Sequence, residues 1–361
     1  MPETVGITGV GLIMPSGTGI DALRQSLPQS SNAARLVASV PAIEGIAKND
    51  VRRMSKLTRY TIFAAHQALK ASASPSDKTG LFVSLTHGST ALLAEFHDYL
   101  FDYGPEMASP NTFSNGVTNA PLASVSSFLK VKDGGTTFLG YEDAGSEMLN
   151  YCARSIYDGE YEACCAGASE EFSDIVNGAY AQCGWYSIQP PPFLPFPMNG
   201  GDGKTGFGVS EGSAFLKLES VERIASTGAV PLCFYTPVDI ESVDLGVDVV
   251  ISGAGAGPQD SYELDFLKHF GENVRGKMPA LVFPKPLYGE SFALGSMLAN
   301  CMAIDMVANG ILFPSFAAHP DVKEYFGSKR SEPPQEVLVV SCARNGQVSA
   351  GIFSREKGTL R

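Results

Sequence analysis

The stretch GGTTFLGYEDAGSEMLNYCARSIYDGEYEACCAGASEE, residues 134–171, decides how the rest of the chain is read. A short β-type run, Thr136, Thr137, Phe138 and Leu139, breaks at Gly140. Beyond the break, Met148, Leu149, Cys152, Ala153 and Ile156 recur at the spacing that places them on one helical face. A second apolar run, YEACCAGA at 161–168, follows. The segment is therefore strand, sharp turn, helix, strand, with residue 142 at the first junction. Backbone N–H groups at a helix start have no intrahelical partners, so this is a place where a nucleophile is exposed and developing negative charge is stabilised. The residue standing there is a glutamate, Glu142.

Outward from this segment the same alternation continues in both directions. Toward the N-terminus lie an apolar run from Val5, a helical pattern at 57–72 and GLFVSL at 80–85. Toward the C-terminus come VDVVISGAG at 247–255, a helical pattern from Asp260, ALVFP at 280–284, a helix at 291–308, and the paired runs EVLVVS (336–341) and VSAGIFS (348–354). Continuous apolar strands separated by helices indicate a sheet covered on both faces, so the fold class is α/β. The proline-rich QPPPFLPFP at 189–197 cannot continue a regular element and is expected to be a surface crossing or lid.

With 361 residues, 44% of them hydrophobic and 18% charged, the chain is long enough for a sizeable core. No run approaches the eighteen or so apolar residues of a membrane span, and the first residues lack the basic start and apolar stretch of a signal peptide, so a cytoplasmic location is expected. A formal charge of −12 argues against nucleic acid, whose binding draws on positive charge. The seven cysteines are odd in number, form no CxxC and sit mostly in apolar surroundings, as reduced core residues would. Three glycine-rich pieces imitate nucleotide motifs. GVGLIMP (9–15) has Met14 where a dinucleotide fingerprint needs its third glycine, GKT (203–205) has Met198 where a phosphate loop needs its first, and SGAGAG (252–257) lacks a lysine partner. The last is expected to be a tight turn with close backbone approach. No cofactor and no metal are expected.

Five further segments, taken in series, resemble one family. TVGITGVGLIMPSG (4–17) resembles the opening strand and turn of the β-ketoacyl-acyl carrier protein synthases, and RMSKLTRYTIFAAHQAL (53–69) their first long helix. SPNTFSNGVTNAP (109–121) resembles the family's dimer-interface segment, GFGVSEGSA (206–214) its GF-x-x-GEGA signature, and KPLYGESFALGS (285–296) its KS-x-x-GH motif. The resemblance implies a thiolase-like fold, in which two duplicated βαβ halves make a layered α-β-α-β-α sandwich. It places the N-terminal half, with the elbow and the interface segment, at 1–220 and the C-terminal half at 221–361.

Members of this family use a cysteine to carry the acyl chain and two histidines to assist decarboxylation and stabilise the enolate. Carried over position by position, the cysteine falls on Glu142, the first histidine on Ser252 and the second on Glu290, while Lys285 is retained. The C-terminal gate, SCARNGQVSAG (341–351), has Arg344, Asn345 and Gly346 where the family is rich in Phe and Gly. None of His66, His87, His97, His269 or His319 stands where it restores the set, and each is read as structural.

The resemblance therefore implies a subunit without condensing activity, like the chain-length factor that pairs with an active ketosynthase in type II polyketide synthesis. Its features lean toward the aryl-polyene systems. In this reading the catalytic subunit receives the acyl carrier protein, because an acidic carrier docks poorly on an acidic chain. Thr112, Phe113 and Gly116 are the candidate tunnel and interface residues. Glu142 itself admits three roles: a filler whose carboxylate takes the helix-start N–H bonds, a base in a malonyl-carrier decarboxylase, or half of a metal pair with Glu290. Two carboxylates lying close would raise the pKa of at least one. A homodimeric acyl-binding protein is the remaining alternative.

Overall fold

The computed structural model describes residues 4–26, 35–52, 54–71, 78–185, 208–239, 246–255, 257, 260–274, 277–314, 321–327 and 332–357. The first half runs β1 (Val5–Met14), β2 (Gly17–Thr18), α1 (Asp21–Gln25), α2 (Lys48–Val51), α3 (Lys56–Lys70), β3 (Thr79–Leu85), α4 (Thr90–Tyr103), α5 (Pro110–Gly116) and α6 (Ala120–Leu129). The elbow region follows as β4 (Gly135–Leu139), α7 (Ala144–Tyr157), β5 (Ala163–Glu170) and α8 (Asp174–Gln182), and then come β6 (Gly212–Glu219), α9 (Val221–Thr227) and β7 (Cys233–Pro237). The chain continues through β8 (Val249–Ser252), α10 (Asp260–Asn273), β9 (Ala280–Val282), α11 (Lys285–Tyr288), α12 (Ala293–Asn309), β10 (Glu336–Cys342) and β11 (Val348–Ser354). The proline-rich 189–197, the GKT at 203–205 and His319 lie outside the described residues.

The described strands are hydrogen-bonded in the order β4-β3-β5-β6-β1-β7-β11-β10-β8-β9, with β2 paired to β1. This order repeats itself about the antiparallel β1–β7 pair. In each set of five the second and third strands pair in parallel (β3·β4, β8·β9), as do the second and fourth (β3·β5, β8·β10). The fifth strand then returns antiparallel between the fourth and the first (β6, β11). Three apolar clusters fill the spaces between layers. One lies under α3 and α6 on the first five strands, one under α10 on the last five, and the largest surrounds α7 and α12 between the two sets. Helix, sheet, helix, sheet, helix is the resulting stack. Helix α12 has almost no polar face, as a helix enclosed on all sides requires.

Two glycines of β1 explain why its motif imitates a dinucleotide fingerprint. A Cβ on Gly9 would lie 2.1 Å from the Ala68 carbonyl oxygen, and one on Gly11 would lie 1.9 Å from that of Ala64, so α3 rides directly on the strand backbone. The glycines serve helix-to-strand contact. Ser55 caps α3 by accepting from the Thr58 N–H at 3.0 Å.

Candidate functional site

The elbow is built as the sequence indicates. Strand β4 ends at Leu139, the Gly140 N–H donates to Leu85 O at 3.2 Å, and a turn closed by Ala144 N–H to Tyr141 O (3.2 Å) leads into α7. A Cβ on Gly140 would lie 2.6 Å from that of Ala144, which is why the turn needs glycine there. Glu142 sits in this turn and is buried. From the other half, the β10–β11 turn is closed by Ala343 N–H to Gln347 O (2.8 Å) and Gly346 N–H to Ala343 O (2.9 Å), with Gly346 at φ +87°. It delivers Arg344 onto Glu142. The Arg344 backbone N–H donates to Oε2 at 3.2 Å, Nε donates to Oε1 at 3.0 Å and Oε2 at 3.3 Å, and Nη2 donates to Oε1.

This corrects two expectations. Glu142 does not turn to the helix-start N–H groups, because a guanidinium supplies charged donors in a fork that matches both carboxylate oxygens. Nor does carboxylate repulsion raise its pKa. Burial pushes it up most strongly, but the hydrogen bonds from Arg344 and the nearby charge of Lys285 outweigh burial and hold Glu142 below its ordinary range. Burial acts against the Arg344 charge, yet the bonds to Glu142 hold its pKa above the ordinary value.

Glu290 and Ser252, the other two positions singled out in the sequence, are also engaged from within the protein. Lys285 Nζ lies 2.7 Å from Glu290 Oε2, a close ion pair rather than an aligned hydrogen bond, and Glu290 Oε1 accepts the Phe292 N–H at 2.8 Å. Burial lowers the Lys285 pKa, but the carboxylates of Glu290 and Glu142 carry it above its usual value. Ser252 Oγ donates to Glu263 Oε2 at 2.8 Å, and the Cys342 N–H donates to Oε1 of the same residue at 2.7 Å. Complete burial pushes Glu263 up to about 7. Asp143, next to the elbow glutamate, is likewise pushed up to about 7, by burial first and by Glu147 second, and accepts from Ser349 Oγ at 3.2 Å.

Around Arg344 stands a group that sequence reasoning missed. The guanidinium lies over the rings of Tyr141, Tyr180 and Trp185, at 5.2, 5.1 and 4.5 Å from their centroids. Tyr180 Oη accepts from Arg344 Nη1 at 3.0 Å and lies 2.9 Å from His87 Nε2. His87, read from the sequence as structural, stands at this site because β3 ends at its C-terminal edge, where parallel strands open toward a cleft. That position after a strand was the one signal available. Tyr180 and Trp185 gave none, since α8 and the turn after it bring them in from about forty residues downstream of the elbow.

Thr112, Phe113 and Gly116 lie on α5. Phe113 is half exposed, its ring 5.3 Å from that of Phe96, and Gly116 is buried where a Cβ would lie 2.7 Å from Leu93 Cδ2. All seven cysteines are free, but Cys183 is exposed at the end of α8, so only six belong to the core. Among the described residues no group of three or more His, Cys, Asp or Glu is placed to hold a metal ion, and Glu142 and Glu290 are each taken by a cation of the protein. No helix among the described residues is long and apolar enough to cross a membrane.

The model of the family described as "Beta-ketoacyl synthase, N-terminal domain" matches residues 37–223. The chain belongs to the β-ketoacyl synthase family. Within that family it is 23% identical over 252 residues to the 3-oxoacyl-(acyl-carrier-protein) synthase 2 of Staphylococcus aureus strain COL, covering 63% of the chain and 60% of the relative's length. It is 21% identical over 363 residues to a Streptomyces cyaneus protein provisionally named polyketide beta-ketoacyl synthase 1, covering 85% of each. Its fold is similar to that of the ishigamide ketosynthase/chain length factor, with a TM-score of 0.80, 17% identity and coverage of 99% of this chain and 100% of that one. The thiolase-like fold of the ketosynthases is thus the fold of this family member.

Proposed function

We propose that the chain is a non-catalytic ketosynthase homologue, a chain-length factor that pairs with a cysteine-bearing ketosynthase and forms part of the wall of its acyl chamber in polyketide or polyene synthesis. The observation that carries this reading is the Glu142–Arg344 pair. Where the resemblance puts the acyl-carrying cysteine stands a carboxylate closed off by a partly buried guanidinium, and of the two histidine positions one holds the carboxylate of Glu290 and the other a Ser252 hydroxyl already donated to Glu263. A carboxylate held below its usual range is a weak base, which weighs against decarboxylation through Glu142.

Support for pairing comes from the opposite side of the elbow. Strand β4 forms one end of the sheet, exposes Leu139 and leaves one edge without a described strand. On α4, which packs against α5 and α8, no residue is buried, and Tyr99, Phe101 and Tyr103 are exposed, Phe101 to 83%. An open strand edge and an exposed aromatic surface each suit a second subunit of the same fold. Thr112, Phe113 and Gly116 are the proposed contribution to the tunnel, and Arg344, Asn345 and Gly346 stand where the resemblance puts the family's gate.

The test is co-expression with a cysteine-bearing homologue from the same host. The expected outcome is a soluble one-to-one complex whose product length changes in Phe113→Ala. Carbon dioxide release from malonyl-carrier by the isolated chain, lost in Glu142→Ala, would replace this reading with the decarboxylase. A stable homodimer retaining an acyl ligand would replace it with the binding protein.

A further inference from the structure

A chain of contacts crosses from one half of the molecule to the other beside Glu142. It starts at Glu170, at the end of β5, whose Oε1 accepts the Thr86 N–H and whose Oε2 lies 3.3 Å from His87 Nδ1. Because a carboxylate only accepts, Nδ1 is the donor; Nε2 lies 2.9 Å from the Tyr180 hydroxyl, from which a neutral imidazole accepts and to which a charged one donates. Tyr180 Oη in turn accepts from Arg344 Nη1 at 3.0 Å, and Arg344 closes on Glu142. In either direction of the His87–Tyr180 bond every group along this path keeps a partner on both sides.

The rings fix the same path sterically. Phe292 stacks on Tyr180, with centroids 5.2 Å apart and planes 23° from parallel, and meets the His87 ring edge-on at 4.4 Å. Tyr180 also stacks on Trp185 at 5.0 Å. Phe292 holds φ at +52°, a conformation that non-glycine residues keep only where the surroundings over-determine it. An arginine side chain carries much rotamer freedom, and here it is confined by three aromatic faces and by an acceptor at each end.

We propose that these contacts form a latch that holds the β10–β11 turn closed on the Glu142 elbow, with Glu170, His87 and Tyr180 acting as positioning residues for Arg344. The turn is then a fixed wall rather than a moving gate. This goes beyond the heterodimer reading and holds for the chain alone or paired, so the failure of one leaves the other standing.

Hydrogen–deuterium exchange of the full chain tests the latch, read at the Arg344 amide and the peptide spanning 343–347. In the wild type this turn exchanges slowly for a surface hairpin. Tyr180→Phe keeps the ring stack and deletes only the hydroxyl, and speeds exchange there by about tenfold. Glu142→Gln, which keeps the shape and removes the charge, speeds it further. The strands β5 and β10 are unchanged in both. Exchange of 343–347 at the rate of an open loop in the wild type would overturn the latch, and so would a Tyr180→Phe variant with no change, or with an equal rise throughout. If Glu142→Gln does not fold, Tyr180→Phe decides alone.

Discussion

At the scale of single residues, the buried pair at the elbow has an asymmetry that can be measured. Taking two charges out of water is costly, and each member repays that cost only while the other is present. Glu142→Ala leaves the Arg344 guanidinium buried without its carboxylate and is expected to lower stability by about 3 kcal/mol. Adding Arg344→Met to it should recover much of that loss. Urea denaturation of the wild type, both single variants and the double variant gives the coupling, and equal additive losses would mean the pair is not closed in solution. A pH profile follows from the same neighbourhood. Asp143, Glu171 and Glu263, each pushed up to about 7 by burial, contribute stability that is complete below the ordinary carboxylate range near 4 and is lost as pH rises through 7. Glu142 works in the opposite sense, its contribution present above the ordinary range and lost as pH falls through its depressed value. Stability should therefore peak well on the acid side of neutrality, near pH 4. Glu263→Gln should flatten the decline between about pH 4 and 7, and an unchanged slope would remove Glu263 from the account.

Among the elements, close backbone packing separates glycines that look alike in the sequence. Gly11→Ala drives a methyl group into the Ala64 carbonyl across the α3–β1 contact and is expected to leave the protein insoluble or severely destabilised. Gly295→Ala, inside the lysine motif, meets nothing closer than Ser291 Oγ at 3.6 Å and should be tolerated with a small change in melting temperature. The reverse ranking in thermal melts would contradict the packing described. The same physics explains what could be read in advance. Strands β1, β3, β5, β8, β10 and β11 are nearly continuous apolar runs and announced themselves. Strand β6 did not, because Lys217 and Glu219 interrupt its pattern. In the fold both are buried, with Arg223 Nε 2.8 Å from Glu219 Oε1 and Lys217 Nζ 3.4 Å from the same atom. Helix α4 shows in the sequence only as a helical pattern around His97, because Leu93 and Phe96 make a half-buried stripe toward α5 while Tyr99, Phe101 and Tyr103 are exposed. At the site, motif order pointed to Glu142, Ser252 and Glu290, and each stands in a buried polar contact. The partner of Glu142 was not, because Arg344 lies two hundred residues away and only the folding of one half onto the other brings them together.

For the whole molecule, the charge balance bears on how a pair would divide its work. A formal charge of −12 spread over 361 residues repels an acidic carrier protein at long range, and like-charge repulsion of this kind acts mainly on the rate of encounter. The surface is not uniform. Arg52 is exposed and Arg59 half-buried near the start of α3, but Lys56 between them is tied to Glu211 at 2.6 Å, which subtracts from the patch. On this balance the carrier should dock on the catalytic subunit of the reconstituted complex. Crosslinking from a pantetheine-bearing carrier, followed by peptide mapping, should then give adducts on that subunit, with a yield that falls as salt is raised. Adducts concentrated at 48–59 of this chain, weakened by Arg52→Glu, would instead show that the short basic stretch outweighs the net charge and that this subunit takes part in receiving the carrier.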